Sequence, residues 1–269
     1  MAERDIREEI FKKAEASTVK AVLSCCSAGV LAGMDEFCRK AEEIGLKITF
    51  ALKDGSEVRN GETIATLEGK PMEIALAEDT LVGLLAKPSG VATAASRAVK
   101  LARGRVEVVC GAWKKIPPQV KGLLRKAVLI GGAGVRVSSR PFIYLDKNYV
   151  RMFGGVKEAL DAVSGIKDRI KVVQVRGDSE NLAGEARDAV EGKADMIFVD
   201  TGRIEDVRVV SGAVRKLNAR SRVKIAFGGN VKISDIPRLI KEDLDIVEIG
   251  REIIDAPLLD LKFDVLNVR

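Results

Sequence analysis

The spacing of apolar and polar positions changes period along this chain, and each change marks an element. Residues 3–15 read as an amphipathic helix, and residues 17–33, STVKAVLSCCSAGVLAG, as a strand entering a glycine turn. In residues 34–45, Phe37, Ala41 and Ile44 recur at helical spacing and Gly45 is the stop. Residues 46–79 alternate with period two around Asp54-Gly55 and Asn60-Gly61 and pass through Gly69-Lys70-Pro71. That pattern predicts short strands joined by tight hairpins, with Asn60-Gly61 as turn chemistry. Two helical stretches follow, 79–86 and 91–103, broken at Lys87-Pro88-Ser89-Gly90.

From about residue 105 short β-branched runs alternate with helical segments. The predicted strands are 106–112, 141–146, 171–176, 196–200, 224–229 and 246–250, with 127–130 as a further candidate. The predicted helices are 118–127, 155–164, 179–191, 204–218, 233–242 and 251–255. Such alternation implies a parallel sheet, closed into a barrel of six or seven units or open and doubly wound. No G-x-G-x-x-G lies between a strand and a helix to support a dinucleotide fold.

In an α/β barrel, chemistry sits at the C-terminal ends of the strands. Those ends carry Trp113, Lys114 and Lys115; Asp146, Lys147 and Asn148; Gln174 and Arg176; Asp200 and Thr201; Gly228, Gly229 and Asn230; Gly250 and Arg251. The last two sets are glycine turns leading into helices, where backbone N–H groups can approach a phosphate, unless they are only tight turns. Asp200 can hold Mg²⁺, a ribose hydroxyl or a developing cation, or it can cap the next helix, a task Thr201 could take instead.

Charge adds one feature. Residues 111–150 carry Lys114, Lys115, Arg136, Arg140 and Lys147 around Gly131-Gly132, with no acid before Asp146. The run is either a solvated basic face or the converging wall of a site for a small multiply anionic ligand. The net charge of +6 and pI of about 9.1 could indicate nucleic acid. The basic residues are interleaved with 39 acids, Trp and Tyr together number three, and no nucleic-acid motif is present, so small anions are the expected partners.

The chain has no histidine, so acid–base chemistry falls to Asp, Glu, Lys, Tyr, Cys or water, and histidine-dependent hydrolase mechanisms are excluded. Cys25, Cys26, Cys38 and Cys110 lack metal-ligand spacing and read as buried free thiols. No apolar run is long enough for a membrane span and the N-terminus lacks a signal-peptide core, so the expected location is cytoplasmic.

The order of GVLAGMDEF, DGSEVRNGETIATLEG, AEDTLVGLLAKPSGVATAASRAV, KKIPPQVKGLLRKAVLIGGAGV, FIYLDKN, MIFVD, FGGN, VEIG and APLLDLKFDV resembles the quinolinate phosphoribosyltransferases from about residue 18 to 266. The resemblance implies an N-terminal α/β sandwich domain (1–88, with the tail 257–269 packing back on it) and an incomplete seven-stranded α/β barrel (89–256). It implies transfer of a phosphoribosyl group from phosphoribosyl pyrophosphate to quinolinate, with release of pyrophosphate and CO₂ and with Mg²⁺ as cofactor. It also implies a homodimer or larger homo-oligomer whose partner subunit completes the site.

By the same resemblance, Lys115 falls on the family's lysine in D-T-R-K-T and Lys114 on its arginine. Asp200 falls on the barrel aspartate, a catalytic and Mg²⁺-holding position. Gly228, Gly229 and Gly250 fall on phosphate-loop glycines, with Asn230 and Arg251 beside them. Lys147 lies near the lysine of I-K-D-N-H, and Arg136 and Arg140 are nearest the family's histidine–arginine pair; with Lys114 they are expected to bind the acceptor. The family's catalytic glutamate is Gln174 here, and the arginine of E-R-T is Asp79. A reversed charge in a dicarboxylate pocket disfavours quinolinate, so the acceptor could instead be nicotinate or another N-heterocycle. A non-catalytic paralogue that binds a phosphorylated ligand is the reading from another class.

Overall fold

The structure is a computed structural model that describes residues 5–178 and 181–268. Its strands are β1 (Val19–Cys25), β2 (Gly29–Val30), β3 (Lys47–Ala51), β4 (Glu57–Val58), β5 (Thr63–Gly69), β6 (Glu107–Val109), β7 (Phe142–Leu145), β8 (Ile170–Val175), β9 (Met196–Asp200), β10 (Lys224–Gly228), β11 (Ile246–Glu248) and β12 (Leu261–Val268). Two compact units emerge. The first holds the residues up to Ser96, Lys115–Gly132 and the tail from Asp255; the second holds Arg97–Lys114 and Ala133–Ile254.

In the first unit an antiparallel sheet runs β12-β1-β5-β3, and β2 pairs with β4 beside it. Period-two burial along β1 puts Val19, Ala21, Leu23 and Cys25 inside. They pack with Phe37 and Ala41 of the helix Met34–Ile44 and with Leu81 and Leu85 of the helix Pro71–Ala102. The Asp54-Gly55 turn has a second task, because Asp54 Oδ1 accepts the Met34 N–H at 2.8 Å where the N-cap Gly33 has no side chain to offer.

Several expected elements differ. The helix 3–15 reduces to Arg7–Ile10 and a 3₁₀ turn Lys12–Ala14, with residues 3 and 4 outside the described set. It buries no residue, and a short helix without a packed face does not propagate. Residues 71–79 are helical rather than β. Pro71 suits a helix start, and Glu73 Oε2 takes the Lys70 N–H at 2.8 Å.

The predicted break at 87–90 is absent, and one helix runs Pro71–Ala102 through Pro88. Pro88 has no N–H to give to the Leu84 carbonyl. Gly33 packs against that carbonyl so closely that a Cβ would sit 2.4 Å from it. On the same stretch Leu259 donates its N–H to Ala86 O at 2.9 Å, and Lys87 Nζ donates to Ala256 O at 2.9 Å. A Cβ at Gly90 would lie 1.9 Å from Pro257 O. The breaker residues therefore mark where other segments dock. Residues 127–130, a candidate strand, instead complete the helix Pro118–Ile130, since Ala127 and Val128 fall on its buried face.

In the second unit the parallel sheet runs β6-β11-β10-β9-β8-β7. The first and last strands in sequence, β6 and β11, pair, which turns the sheet back on itself. A seventh segment contributes one residue pair, the parallel bridge Val109–Gly134. This is the incomplete seven-stranded barrel, with its seam between that bridge and β7. Inward positions Val109, Val137, Val172, Met196, Phe198, Ala226 and Ile246 pack with Phe142, Tyr144 and Ile170. Helices Val156–Ala162, Leu182–Glu191 and Ile204–Lys216 flank the strands. Residues 179 and 180 of the expected helix 179–191 lie outside the described residues. The expected helix 233–242 is a 3₁₀ turn and the short helix Ile236–Leu239. No helix among the described residues is long and apolar enough to cross a membrane.

Candidate functional site

Continuing the inward alternation one step past the apolar core sets a polar layer at the C-terminal ends of the strands. Phe198 leads to Asp200, Val172 to Gln174, Ile246 to Glu248 and Ala226 to Gly228. Gly228 pairs in register with Asp200. This layer is the mouth of the second unit.

Asp200 is held, and it caps nothing. Its Oδ2 accepts from Gln174 Nε2 at 2.5 Å and from the Arg176 guanidinium, which also donates to the Asp200 carbonyl at 2.8 Å. Thr201 Oγ1 takes the Arg203 N–H instead. Gln174 bridges two strand ends, because its Oε1 accepts the Lys147 N–H at 2.6 Å. An amide suits this place: a carboxylate could not donate to Asp200, and two like charges at that spacing would repel. The loop after β8 is fixed by Glu185, buried in the helix Leu182–Glu191, whose Oε2 accepts the N–H groups of Arg176 and Gly177 at 2.7 Å each.

Asp146 closes the other side. Its Oδ1 caps the helix Lys147–Phe153 through the Asn148 and Tyr149 N–H groups, and its Oδ2 accepts from Lys114 Nζ at 2.7 Å. Burial works against the charged form, but the Lys114 bond and the backbone donors hold this carboxyl below its ordinary range. Trp113 ties the segment down by donating to Cys110 O at 2.8 Å and Val135 O at 3.1 Å. A pocket of about 400 Å³ opens between Lys147, Arg151, Gln174, Arg176 and Asp178.

Of the five candidate cations named in 111–150, Lys114 pairs with Asp146 and Lys147 follows Asp146 as the first residue of the helix it caps. Arg136 and Arg140 are exposed and make no ion pair among the described residues. Lys115 is exposed and belongs to the first unit. In that unit Asp79, on the helix Pro71–Ala102, pairs with Arg7.

The glycine loops are close-packed. A Cβ at Gly229 would lie 2.6 Å from Gly202 N, and one at Gly202 would lie 2.1 Å from Gly229 O. The backbone is left-handed at Gly202, Gly229 and Asn230. Gly250 faces Ala112, and Arg251 opens the short helix Arg251–Ile254 with its side chain exposed. Of the thiols, Cys25 and Cys110 are buried and Cys38 half-buried, but Cys26 is exposed, which corrects the expectation of four buried thiols. Cys26 follows the last residue of β1, so the alternation that buries Cys25 turns it outward.

Two residues were missed from the sequence. Tyr144 packs edge-on against Phe198 with ring centroids 5.7 Å apart. Burial, then the charges of Glu248, Asp200 and Asp146, push its phenol above the ordinary range. Glu248 ends β11, and burial followed by the Asp200 charge pushes its carboxyl up to about 7. The available signal was an acid at an inward position of an otherwise apolar strand, two residues before Gly250.

The profile of the quinolinate phosphoribosyl transferase C-terminal domain matches residues 91–264, and that of the N-terminal domain matches residues 5–89. A probable nicotinate-nucleotide pyrophosphorylase (carboxylating) of Archaeoglobus fulgidus is 28% identical over 252 residues, covering 93% of this chain and 95% of its own. The human nicotinate-nucleotide pyrophosphorylase (carboxylating) is 28% identical over 244 residues, covering 90% and 80%. The solved nicotinate-nucleotide pyrophosphorylase of Francisella tularensis superposes with a TM-score of 0.83 at 24% identity, over 99% of this chain and 91% of its own. With both halves of the chain matched in order, the protein belongs to the quinolinate phosphoribosyl transferase family.

Proposed function

We propose that this protein transfers a phosphoribosyl group from phosphoribosyl pyrophosphate to the ring nitrogen of an N-heterocyclic acid, quinolinate being the acceptor by family. The observation that carries the reading is the bonded Gln174–Asp200–Arg176 cluster at the barrel mouth of a chain matched over both family domains. In the reaction the C1–O bond of the donor breaks with its electron pair leaving on pyrophosphate. The acceptor nitrogen supplies the pair for the new C1–N bond. With quinolinate, the adjacent carboxylate leaves as CO₂, and its electron pair, left on the ring carbon, takes up a proton.

In this reading the Gly228–Asn230 and Gly250–Arg251 loops bind donor phosphates, and Lys114, Lys147, Arg136 and Arg140 supply cations for the acceptor and the leaving pyrophosphate. Asp200 fits a Mg²⁺ ion carried in by the donor: both of its side-chain bonds fall on Oδ2, which leaves Oδ1 for the metal. Bound there, the ion would neutralise pyrophosphate as it departs. Gln174 acts as the residue that orients Asp200 and the start of the helix Lys147–Phe153 rather than as an acid or base. The functional unit in this reading is a homodimer or larger.

A non-catalytic phosphate-binding role is the second reading, favoured by Asp79, tied to Arg7 where the family places an arginine for the acceptor. Pyrophosphate release from phosphoribosyl pyrophosphate with Mg²⁺ and a panel of quinolinate, nicotinate and related acids separates the two. Release with at least one acceptor is expected. Thermal stabilisation by the donor without release on any acceptor overturns the transferase reading.

A further inference from the structure

Breaking the bond to pyrophosphate leaves positive charge on the ribosyl C1, and an anion facing that carbon lowers the barrier only if its own charge is not already spent. Asp200 is compensated by Arg176, and position 174 offers an amide. Asp146, two residues past inward Tyr144, is paired with Lys114, which leaves Glu248 as the acid of the layer without a paired cation among the described residues.

Its setting is built. Gly228 pairs with Asp200 on β9, while Phe227, one residue earlier, pairs with Val247 on β11. Gly228 therefore lies between Asp200 and Glu248 with no side chain to separate them. On the other flank β11 pairs with β6, which runs on to Gly111. A Cβ at Gly111 would lie 2.3–2.6 Å from the Glu248 carboxyl atoms, and one at Gly228 would lie 3.4 Å from Glu248 Cβ and 2.7 Å from the Phe198 ring. Two glycines thus make the hollow this carboxyl occupies. Among the described residues Glu248 has no hydrogen bond and no ion pair, and the ionisable groups around it are Asp200, Tyr144 and Cys110. Glu248 as a residue is half-buried, at the C-terminal end of β11. An uncompensated carboxyl in an apolar wall is costly to keep, and such groups cluster at functional sites.

We propose that Glu248 is the carboxylate that faces the ribosyl carbon during transfer. The inference rests on the transferase reading above. Glu248 forms no bond in the step; its charge stabilises C1 while pyrophosphate leaves with the bonding pair and the acceptor nitrogen attacks.

The test compares wild type, E248Q and E248D by pyrophosphate release under saturating donor and acceptor, with melting curves to establish folding. E248Q keeps the shape and loses the charge, so kcat falls roughly 100-fold while the donor KM stays within about threefold. E248D keeps the charge one methylene shorter and recovers most of that loss. A second route leaves Glu248 in place: G111A fills the hollow, displaces the carboxyl and also lowers kcat. An active wild type whose E248Q and G111A variants keep its kcat overturns the inference alone. An E248Q effect confined to KM, or an E248D variant as slow as E248Q, also overturns it. A wild type inactive with every acceptor overturns the transferase reading, and this inference with it.

Discussion

Replacing Gly90 with alanine puts a methyl group into the carbonyl of Pro257. The new Cβ would stand 1.9 Å from that oxygen, 3.0 Å from the carbonyl carbon and 3.3 Å from Leu258 Cα. Carbon and oxygen meet comfortably at roughly 3.3 Å, so the tail backbone has to retreat by more than an ångström. That movement breaks the Leu259 N–H bond to Ala86 O and the Lys87 bond to Ala256 O, both 2.9 Å, and draws buried Leu259 out of the first unit's core. The backbone bond is worth about 1 kcal/mol and the lysine–carbonyl bond about 2 kcal/mol. Overpacking adds about 1–3 kcal/mol. Better helix propensity returns about 1 kcal/mol. The net expectation is a loss of about 3–5 kcal/mol, read as a lower urea midpoint at unchanged slope. Gly83 supplies the control, since it lies in the same helix with nothing within 4 Å of an added Cβ. G83A should gain about 0.5–1 kcal/mol by restricting the unfolded chain. A G90A variant as stable as G83A would refute the docking of the tail on this helix.

Asp146 gives a pH prediction. Its folded pKa is depressed, so its contribution to stability is present above its unfolded value and is lost as pH falls through the folded value. K114Q removes the side-chain bond and should move the Asp146 midpoint, followed by carboxyl ¹³C NMR, to higher pH; an unmoved midpoint contradicts the pairing. Among the thiols, Cys26 should alkylate first in the native protein, because burial shields Cys25 and Cys110 and pushes their thiols up to about 11 and about 12. Peptide mass spectrometry after brief iodoacetamide treatment reads this, and equal labelling of Cys25 would disprove the burial of β1.

Periodicity made the barrel legible because its strands are short, β-branched and bounded by turns. Met196–Asp200 and Lys224–Gly228 were placed to within a residue at each end. Asp200 stood out because it ends an apolar strand. Glu248 sits in the same layer but inside V-E-I-G, where the glycine turn is the stronger local signal. Pro88 misled for a physical reason: its local meaning is a break, and only contacts with Gly33 and the tail, 55 and more residues away in sequence, show that other segments dock on this stretch of the helix. The cations of 111–150 could be counted from sequence, but which of them already had a partner could not. Lys114 meets Asp146 across 32 residues, a pairing that depends on how the strand ends line up.

The interlocked glycines at 202 and 229 carry a mechanical consequence. Gly202 donates its N–H to Gly228 O at 3.0 Å, and neither loop has room for a methyl group against the other. The turns after β9 and β10 therefore shift as one body. Anything that grips the Gly228–Asn230 loop pulls, through Gly202 and Thr201, on the backbone that carries Asp200. Occupancy at one strand end would thus reach the carboxylate at the next through the main-chain contact between the two turns.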